Sequence, residues 1–444
     1  MRKQKFGIAP FLLLTFIYFI VGFMTTVNGQ CQGPLKVAFL ADADNLRNTF
    51  TTLISFFFFL GYLLNSPLGG KWIDKCGFKT TVLRALWIMT VGVIMYALSS
   101  WMSINYSHLT LTILKDIIPY GFFVFLFGSF LMGTSAAILQ VVVNPYISAY
   151  PLKGTQPVQR VNISFSFNSF ATTIAPFFVT VVMFAGIPIE LVTAGQVLVS
   201  FLVIAACVVL ITLITSRLPL PNLEEIRSNP DKKLEKSIWS FRHFKLGVIA
   251  IFFYVGAEVA IGVNVNLHAM EIEKAGPFLS FFGNQNLIIG GLDLGMPALL
   301  ATLYWGGLMV GRVISGTLKK ISPRTQLVAT TVVATILTSI AIIYNNLWVL
   351  VSVGLCHSVM WGCIFTISTK GLKEYTSKAS GIFMMGVFGG AVFPVLQGAM
   401  SDIFGSWRWT WFIVIISELV MLHYALYGSH EAFEIKELTI EDKS

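Results

Sequence analysis

The chain has 444 residues, of which 55% are hydrophobic and only 11% are charged, and its mean hydropathy is +0.77. Soluble domains carry about 25% charged residues, so this composition excludes a water-soluble globular protein and indicates one whose solvent is lipid. The formal net charge is +9, but the Lys and Arg residues fall in short turns between apolar runs, which is typical of cytoplasmic loops and does not indicate nucleic-acid binding. The five cysteines have neither metal-ligand nor disulfide spacing.

Twelve apolar stretches are near or above the ~20 residues that a helix needs to cross a bilayer. The first six cover residues 8–40, 48–73, 80–101, 118–149, 160–186 and 195–216. The second six cover residues 244–270, 299–319, 325–344, 347–372, 378–402 and 408–428. We therefore predict an all-α membrane protein whose twelve transmembrane helices form two six-helix bundles. The predicted parts are an N-terminal bundle (1–216), a cytoplasmic linker (217–243), a C-terminal bundle (244–430) and a polar cytoplasmic tail (431–444).

The distribution of basic residues predicts the orientation of the chain. Placing both termini in the cytoplasm puts most of the 30 Lys and Arg residues on that side of the membrane, as the positive-inside rule requires. Two longer insertions, 102–119 and 271–297, then lie on the outer side. Each insertion is either a spacer or a lid, and the sequence leaves both roles open.

Polar residues interrupt the first apolar stretch. Asn28, Gln30 and Gln32 supply amide donors and acceptors, and Gly33 and Pro34 loosen the helix around them. Polar groups are costly in lipid, so a broken polar helix is tolerated only where it lines a cavity or is buried in protein. We expect the three amides to line a cavity, with hydrogen bonding between helices as the alternative.

A tight basic turn separates the second and third stretches. Gly70 is expected to allow close helix approach, Gly77 to adopt a positive φ angle, and Asp74 to cap or pair with a neighbouring helix end. The pattern resembles the loop between helices 2 and 3 of the major facilitator superfamily. We expect these residues, with Gly316 and Arg324 in the second half, to act as gating and hinge elements at the cytoplasmic side.

The fourth and fifth stretches also carry amides. Gln140 and Asn144 lie four residues apart and therefore share one helix face, and Asn168 lies in the fifth stretch. Together they are expected to present amides and hydroxyls to a neutral, polyhydroxylated solute. The alternative is again hydrogen bonding between helices.

Glu258 is the main intramembrane carboxylate, in the middle of the seventh stretch. An ionised carboxylate there costs at least ~2.5 kcal/mol, so it should be protonated, paired or hydrated. We interpret Glu258 as the group that carries a coupling ion, with a hydrogen bond to the solute or a structural hydrogen bond as alternatives. Glu418 in the last stretch ranks lower, because the twelfth helix of the superfamily fold is peripheral.

Asn264, Asn266 and His268 follow Glu258 at even spacings. This spacing does not place them on one helix face, so at most two of them face a common cavity unless the helix breaks.

Blocks of sequence from nearly the whole chain resemble the fucose and glucose–galactose permease branch of the major facilitator superfamily. The blocks are Asn144-Pro145-Tyr146, Arg160-Val161-Asn162, Phe167-Asn168-Ser169-Phe170, Thr173-Ile174-Ala175-Pro176, Tyr254-Val255-Gly256-Ala257-Glu258-Val259, Tyr304-Trp305-Gly306-Gly307, Gly311-Arg312, Lys370-Gly371-Leu372 and Gly389-Gly390-Ala391-Val392-Phe393-Pro394. The resemblance implies an inner-membrane sugar transporter, often driven by protons, that works by alternating access. Trp361 falls where the fucose permease has a functional Tyr, so the resemblance implies that its ring stacks on the sugar.

The departures from the fucose permeases affect ion coupling. Those proteins carry Asp at the position of Gly29, Glu at that of Gln140 and Gln at that of Phe165. An amide cannot load a proton at physiological pH, so a fucose-type coupling route cannot operate through Gly29 and Gln140. The amides that do match the family pattern are Asn28, Asn144 and Asn168.

The sequence thus predicts a monomeric secondary transporter, not an enzyme, that imports a hexose, deoxyhexose or amino sugar with protons or sodium ions and without a cofactor or metal. The predicted substrate-binding residues are Asn28, Gln30, Gln32, Gln140, Asn144, Asn168, Asn264 and Trp361. An uncoupled sugar uniporter and a non-transporting sugar sensor remain open alternatives. A drug or lipid exporter would need a more apolar cavity.

Overall fold

The computed structural model describes residues 8–150, 152, 157–187, 191–218, 220, 237–275, 287–289, 292–317, 321–372 and 376–429. The predicted tail, most of the predicted linker and much of the insertion 271–297 lie outside these residues. The described chain is almost entirely helical, as the composition predicts, with two short β-hairpins. The domain boundaries stay predictions.

The first half contains six long helical segments. They are α1 with α2 (Ile8–Gln30 and Gln32–Phe39), the two parts of α3 (Arg47–Asn105), α4 (Tyr120–Ala149), α5 (Pro157–Phe177, continued by the π-helical turn Phe178–Met183) and α6 (Val197–Arg217). The strands β1 (Thr110–Ile113) and β2 (Asp116–Pro119) form an antiparallel hairpin between α3 and α4.

The second half repeats this number. Its segments are α7 (Arg242–Ala275), α8 (Met296–Thr317), α9 (Pro323–Tyr344), α10 (Leu347–Thr369), α11 with α12 (Thr376–Met385 and Gly389–Phe404) and α13 (Phe412–His423, continued by the π-helical turn Tyr424–Gly428). A second antiparallel hairpin, β3 (Leu287–Ile289) and β4 (Leu292–Leu294), precedes α8. Eleven segments of the described chain are long and apolar enough to cross a membrane, and α8 is not among them. The all-helical fold is confirmed, whereas the count of twelve spans stays a prediction.

A break at Gly77 divides α3. Its φ of 78° and ψ of 172° are non-helical, and a side chain would be strained at this φ. The positive φ predicted for Gly77 is therefore confirmed. The break lies two residues after Lys75, near the start of the second of two apolar segments, Arg47–Ile73 and Lys75–Asn105.

The two halves meet along two seams. Within the first half, α1 packs on α5 and α3 packs on α4 and α6; within the second, α7, α8 and α9 pack on α10, and α7 also packs on α12 and α13. Between the halves, α3 packs against α12 and α5 packs against α8. Between these seams α1 and α2 also touch α7, so side chains on these helices face the junction of the halves.

The molecule has two ends that are distinguished by their loops. We call the end where α1 begins and α13 finishes the termini end, and the end that carries β1 and β2 the hairpin end. At the hairpin end, the buried carboxylate of Asp116 accepts hydrogen bonds from the backbone N–H groups of Asp44, Asn45 and Leu46 at 2.9, 2.9 and 2.8 Å. Burial opposes ionisation of this carboxyl, but these hydrogen bonds outweigh it and hold the pKa of Asp116 below its usual value. Asp116 therefore ties the hairpin to the segment that leads into α3.

Candidate functional site

The predicted site residues fall into two groups that differ in burial. Toward the hairpin end, the side chains of α1, α2 and α7 are buried, namely Asn28, Gln30, Gln32 and Asn264. Nearer the middle and the termini end, the residues are half-buried, namely Gln140, Asn144, Asn168, Glu258 and Trp361. The difference indicates a junction that is closed at the hairpin end and more open toward the other.

Direct contacts between α1 and α7 close the junction at the hairpin end. The side-chain Nε2 of Gln30 donates to the carbonyl oxygen of Gly262 at 2.9 Å, and the Nδ2 of Asn266 donates to the Oε1 of Gln30 at 3.4 Å. A Cβ added to Gly29 would lie 2.7 Å from the Cγ2 of Val263, so only glycine permits this approach. The polar break predicted in the first stretch thus lies at the interface between the halves.

The other two amides of this stretch bond within the first half. The Oδ1 of Asn28 accepts from the hydroxyls of Tyr96 at 2.5 Å and Ser129 at 2.8 Å. The Nε2 of Gln32 donates to Ser55 at 2.7 Å, but its Oε1 has no partner among the described residues. Asn28 therefore joins three helices, and Gln32 retains an unused acceptor.

The evenly spaced residues of α7 face three different neighbours, since the helix is continuous from Arg242 to Ala275. Asn264 donates to Gln397 of α12 at 2.9 Å, Asn266 faces α1, and His268 accepts from the Nε1 of Trp411 at 3.0 Å. The Oδ1 atoms of Asn264 and Asn266 find no donor in the described part of the chain. The even spacing thus spreads these residues around the helix, as its period requires.

The amides of α4 and α5 lie in the more open region. The Nε2 of Gln140 donates to the hydroxyl of Tyr62 at 3.1 Å, and Asn144 interacts with the hydroxyl of Tyr18. The Nδ2 of Asn168 donates to the backbone oxygen of Tyr18 at 2.9 Å, which joins α5 to α1. Gln140 and Asn144 are half-buried and share one face of α4, whereas Asn168 makes a contact between helices of the first half.

Glu258 lies at the centre of a polar cluster in the second half. Its Oε1 accepts from the hydroxyl of Tyr254 at 3.0 Å and lies 3.9 Å from an Nη of Arg312 on α8. The side chains of Glu258 and Arg312 are 14% and 26% exposed, so both reach the junction. Arg312 also donates to Ser169 of α5, which links the acid to the first half.

Sequence reasoning assigned no role to Arg312 and placed Glu418 at the periphery. In the structure, the Oε1 of Glu418 lies 2.7 Å from the Nε2 of His357, and both side chains are fully buried. The Nδ1 of His357 lies 2.7 Å from the hydroxyl of Tyr304. An Arg in an apolar stretch was the available signal for Arg312, whereas the pairing of α10 with α13 depends on tertiary packing and leaves no local signal.

Trp361 lies beside the junction, on the face of α10 that meets α5. Its ring centroid is 5.5 Å from that of Phe165 and 5.3 Å from that of Phe365, to which it is nearly parallel at 12°. Phe383 packs on it edge-on at 5.9 Å. The indole is therefore held rigidly while part of its surface stays exposed.

The structure describes the surroundings of only some of the predicted gating residues. A Cβ added to Gly70 would meet no described atom within 4 Å, so the close helix approach expected there is not found. Arg324 donates from Nε to the backbone oxygen of Ala425 at 2.9 Å, so it binds the end of the last helix. Asp74 and Gly316 lie on helical backbone, and their surroundings are outside the described part.

A carboxylate from the second half caps a helix of the first at the hairpin end. Asp402 of α12 accepts from the backbone N–H groups of Asn48 and Thr49 at 3.1 and 2.8 Å, and from the hydroxyl of Thr49 at 2.6 Å. These groups form the first turn of α3, where unpaired N–H groups and the helix dipole favour a negative charge. The contact joins residues more than 350 positions apart and therefore leaves no local signal in the sequence.

Comparison with known proteins gives consistent matches along the chain. A family model described as the Major Facilitator Superfamily matches residues 14–393. A glucose/galactose transporter of Brucella abortus biovar 1 is 28% identical over 435 residues, which cover 96% of this chain and 95% of the relative. A putative glucose/galactose transporter of Helicobacter pylori is 31% identical over 401 residues, 88% of each chain. The solved fucose:proton symporter of Escherichia coli superimposes with a TM-score of 0.64 at 20% identity, covering 95% of this chain and 98% of the other, and supports the fold alone.

Proposed function

We propose, since the chain belongs to the Major Facilitator Superfamily, that it imports a monosaccharide together with protons by alternating access. The names of its relatives support a sugar as substrate, because they are glucose/galactose transporters that match nearly end to end. The observation that carries the proposal is the triangle of Glu258, Arg312 and Ser169, which places a titratable group where the two halves meet. We further propose that the protein works as a monomer in the inner membrane with both termini in the cytoplasm.

With that orientation, the hairpin end faces outward and the structure corresponds to the inward-facing state. The contacts of Gln30 with Gly262 and of Asp402 with Asn48 hold the outer side closed. Buried polar atoms without partners cost about 1–3 kcal/mol each, so the free oxygens of Gln32 and Asn266 disfavour this closure. Opening would expose these oxygens to water or to a sugar. The closed and open forms would then be close in free energy, as alternating access requires.

Protonation of Glu258 changes the partners of its neighbours. The single hydroxyl proton of Tyr254 is shared between two acceptors, Glu258 at 3.0 Å and the backbone oxygen of His357 at 2.9 Å. When Glu258 is ionised, it draws that proton and attracts Arg312. When Glu258 is protonated, its carboxyl donates to the hydroxyl of Tyr254, and that hydroxyl donates to the backbone oxygen of His357. Arg312 is then free to bind Ser169 of the first half. A proton on Glu258 is thereby coupled to the contact between the halves.

The sugar is proposed to bind between this cluster and the amides of the first half. Gln140 and Asn144 offer donors and acceptors to the hydroxyl groups, and Trp361 offers an aromatic face to the apolar side of the ring. The buried amides Asn28, Gln30, Gln32 and Asn264 become available only as the outer side opens. In the inward-facing state, the half-buried residues make up the accessible part of the site.

Uptake into liposomes tests this function directly. Purified protein is reconstituted, and uptake of radiolabelled D-glucose, D-galactose, L-fucose and N-acetylglucosamine is measured with and without an inward proton gradient. We expect at least one sugar to accumulate above its outside concentration only when the gradient is present. No flux of any sugar would overturn the substrate assignment.

An uncoupled uniporter is the second candidate, because the first half has Gly29 and Gln140 where fucose permeases carry carboxylates. The same assay separates the two functions. A uniporter equilibrates the sugar equally fast with and without the gradient and never accumulates it. Binding of a sugar to the purified protein without any flux would instead indicate a sensor.

A further inference from the structure

A second titratable unit, the pair formed by His357 and Glu418, lies deeper in the second half than Glu258. Both side chains are 0% exposed, and the Nε2 and Oε1 atoms are 2.7 Å apart. The rings of Tyr254 and Tyr304 pack edge-on against the imidazole at centroid distances of 5.8 and 6.0 Å, with interplanar angles of 66° and 86°. The pair is thus sealed by aromatic side chains between α7, α8, α10 and α13.

The charges of this region do not sum to zero without an added proton. Glu258 and Glu418 are two acids, Arg312 is one permanent cation, and a neutral His357 contributes nothing, so the formal sum is −1. A net charge buried in a helical bundle is strongly disfavoured. One proton restores neutrality, and it has two possible places: Glu258, or the His357–Glu418 pair.

Among the residues that the structure describes, no other group near the pair supplies this charge. The titratable or charged groups facing it from α7, α8 and α10 are Tyr254, Glu258, Tyr304, Arg312 and Cys356. Helix α9 carries Arg324 at its first turn, bound to Ala425, and Tyr344 at its last residue; α11 carries Lys378, whose side chain lies outside the described part. The Oε2 of Glu418 has no hydrogen-bond partner among the described residues, so an ionised carboxylate would be only half satisfied.

We propose that the His357–Glu418 pair is a second proton-binding site of the transport cycle, which holds the proton while Glu258 is ionised and paired with Arg312. This inference rests on the proposed sugar:proton symport. The proton count is fixed: the cluster holds one proton in both arrangements, either on Glu258 or within the pair. Transfer between these two places keeps that number, and the cluster gains or loses a proton only when a change of state exposes it to water on one side of the membrane.

The position of the proton decides what Arg312 binds. With the proton in the pair, Glu258 is an anion and attracts Arg312 within the second half. With the proton on Glu258, Arg312 is free to bind Ser169 of the first half. The pair therefore acts as a reservoir whose occupancy sets the contact between the halves, which a purely structural hydrogen bond between α10 and α13 does not do.

The test compares Glu418→Gln with wild type in liposomes that contain the full-length protein. Glutamine keeps a hydrogen bond to His357 but makes the cluster neutral without the added proton. With radiolabelled D-galactose as probe, we expect gradient-driven accumulation to fall at least tenfold and its pH dependence to flatten, while counterflow at equal pH stays within twofold of wild type. Ser417→Ala, whose hydroxyl binds only Ile413 of its own helix, is the matched control and should behave as wild type.

The outcomes distinguish this inference from the proposed function. If wild type does not accumulate D-galactose or any other sugar under a gradient, the proposed symport fails and the inference with it. If wild type accumulates sugar and Glu418→Gln does so equally well with the same pH profile, the inference alone is overturned.

A second variant covers the case in which Glu418→Gln loses counterflow through misfolding. Tyr304→Phe removes only the hydroxyl that lies 2.7 Å from the Nδ1 of His357 and keeps the ring packing. We expect counterflow to persist and the pH midpoint of D-galactose uptake to move by about one pH unit, the size of one lost hydrogen bond. An unmoved midpoint would overturn the proposal.

Discussion

The two halves of the molecule have the same number of helices but different chemistry at their junction. In the first half, all five acidic residues lie between the predicted spans, at Asp42, Asp44, Asp74, Asp116 and Glu190. In the second half, Glu258 and Glu418 lie within helices and are joined to Arg312 and His357. The first half therefore meets the junction with amides, hydroxyls and aromatic rings, and the second meets it with charge.

This difference separates two proposed tasks, the binding of the sugar and the binding of the proton. Amides do not titrate near neutral pH, so the first half can change its affinity for a sugar without changing its protonation. In the proposed mechanism, the charged cluster changes its hydrogen bonding when it binds a proton, and it contacts the first half through Arg312 and Ser169. Substitutions in the two halves should accordingly alter different measured quantities.

The largest effect is expected for Glu258→Gln, which removes the less deeply buried acid of the cluster. Gradient-driven sugar accumulation should fall by up to about tenfold for a gradient of one pH unit, because glutamine cannot take up a proton, while counterflow persists. Glu271→Gln is the control: this carboxylate lies at the far end of the same helix and accepts from Ser406 at 3.0 Å, outside the cluster. Wild-type accumulation by Glu258→Gln would remove Glu258 as the coupling group.

Gln140→Ala tests the role of the uncharged first half in sugar binding. Loss of one neutral hydrogen bond to a sugar corresponds to about 0.5–1.5 kcal/mol, so KM for sugar uptake should rise roughly two- to tenfold. The accumulation ratio at saturating sugar should not change, because the cluster in the second half is intact. A variant that loses accumulation but keeps its KM would contradict the division of tasks between the halves.

Asp402→Asn tests the joint between the halves at the hairpin end. Hydrogen bonds from α3 to a neutral amide are weaker than those to a carboxylate, so the open form of this end should gain several-fold in population. The measurement is the rate at which a membrane-impermeant maleimide labels Val37→Cys, in a cavity of about 150 Å³ between the halves. Asp42→Asn, an exposed acid at the same end, is the control and should leave the rate unchanged.

The smallest effect on transport is expected for Asp116→Asn, which changes a buried carboxylate outside the spans. It should lower the free energy of unfolding by about 1–2 kcal/mol at neutral pH, through weaker hydrogen bonds to residues 44–46, and leave transport per folded molecule unchanged. Because the pKa of Asp116 is depressed in the folded protein, its contribution exists above the usual Asp value of about 3.9 and is lost as pH falls through the depressed pKa.

The measurement is Tm against pH for wild type and variant. The difference in Tm should be full at neutral pH and shrink in acid. A difference that does not depend on pH would contradict the role given to the ionised carboxylate.

The sequence was sufficient for features that depend on local chemistry. Hydropathy located the helices, the turn composition predicted the φ of Gly77, and the cost of a carboxylate in lipid singled out Glu258. The even spacing of Asn264 and Asn266 correctly predicted that they face different directions.

Features that depend on which helices touch were not accessible in this way. Nothing near Glu418 in the sequence indicates that α13 places it against a histidine of α10. The open space around Gly70, and the close approach of α7 to Gly29, likewise depend on how the helices pack. The amino-acid sequence of one chain therefore predicts its helices better than the contacts between them.

The hairpin tied down by Asp116 has a practical consequence. The hairpin displays apolar side chains, with Leu114 in its turn 73% exposed and Leu111 and Ile117 in its strands just over 40%. Asp116 fastens this hairpin to the residues that lead directly into the first turn of α3, the turn that Asp402 holds. An antibody fragment that binds the hairpin would therefore restrict movement at the contact between Asp402 and α3. It would hold the protein in one conformation for structure determination without blocking the substrate pathway.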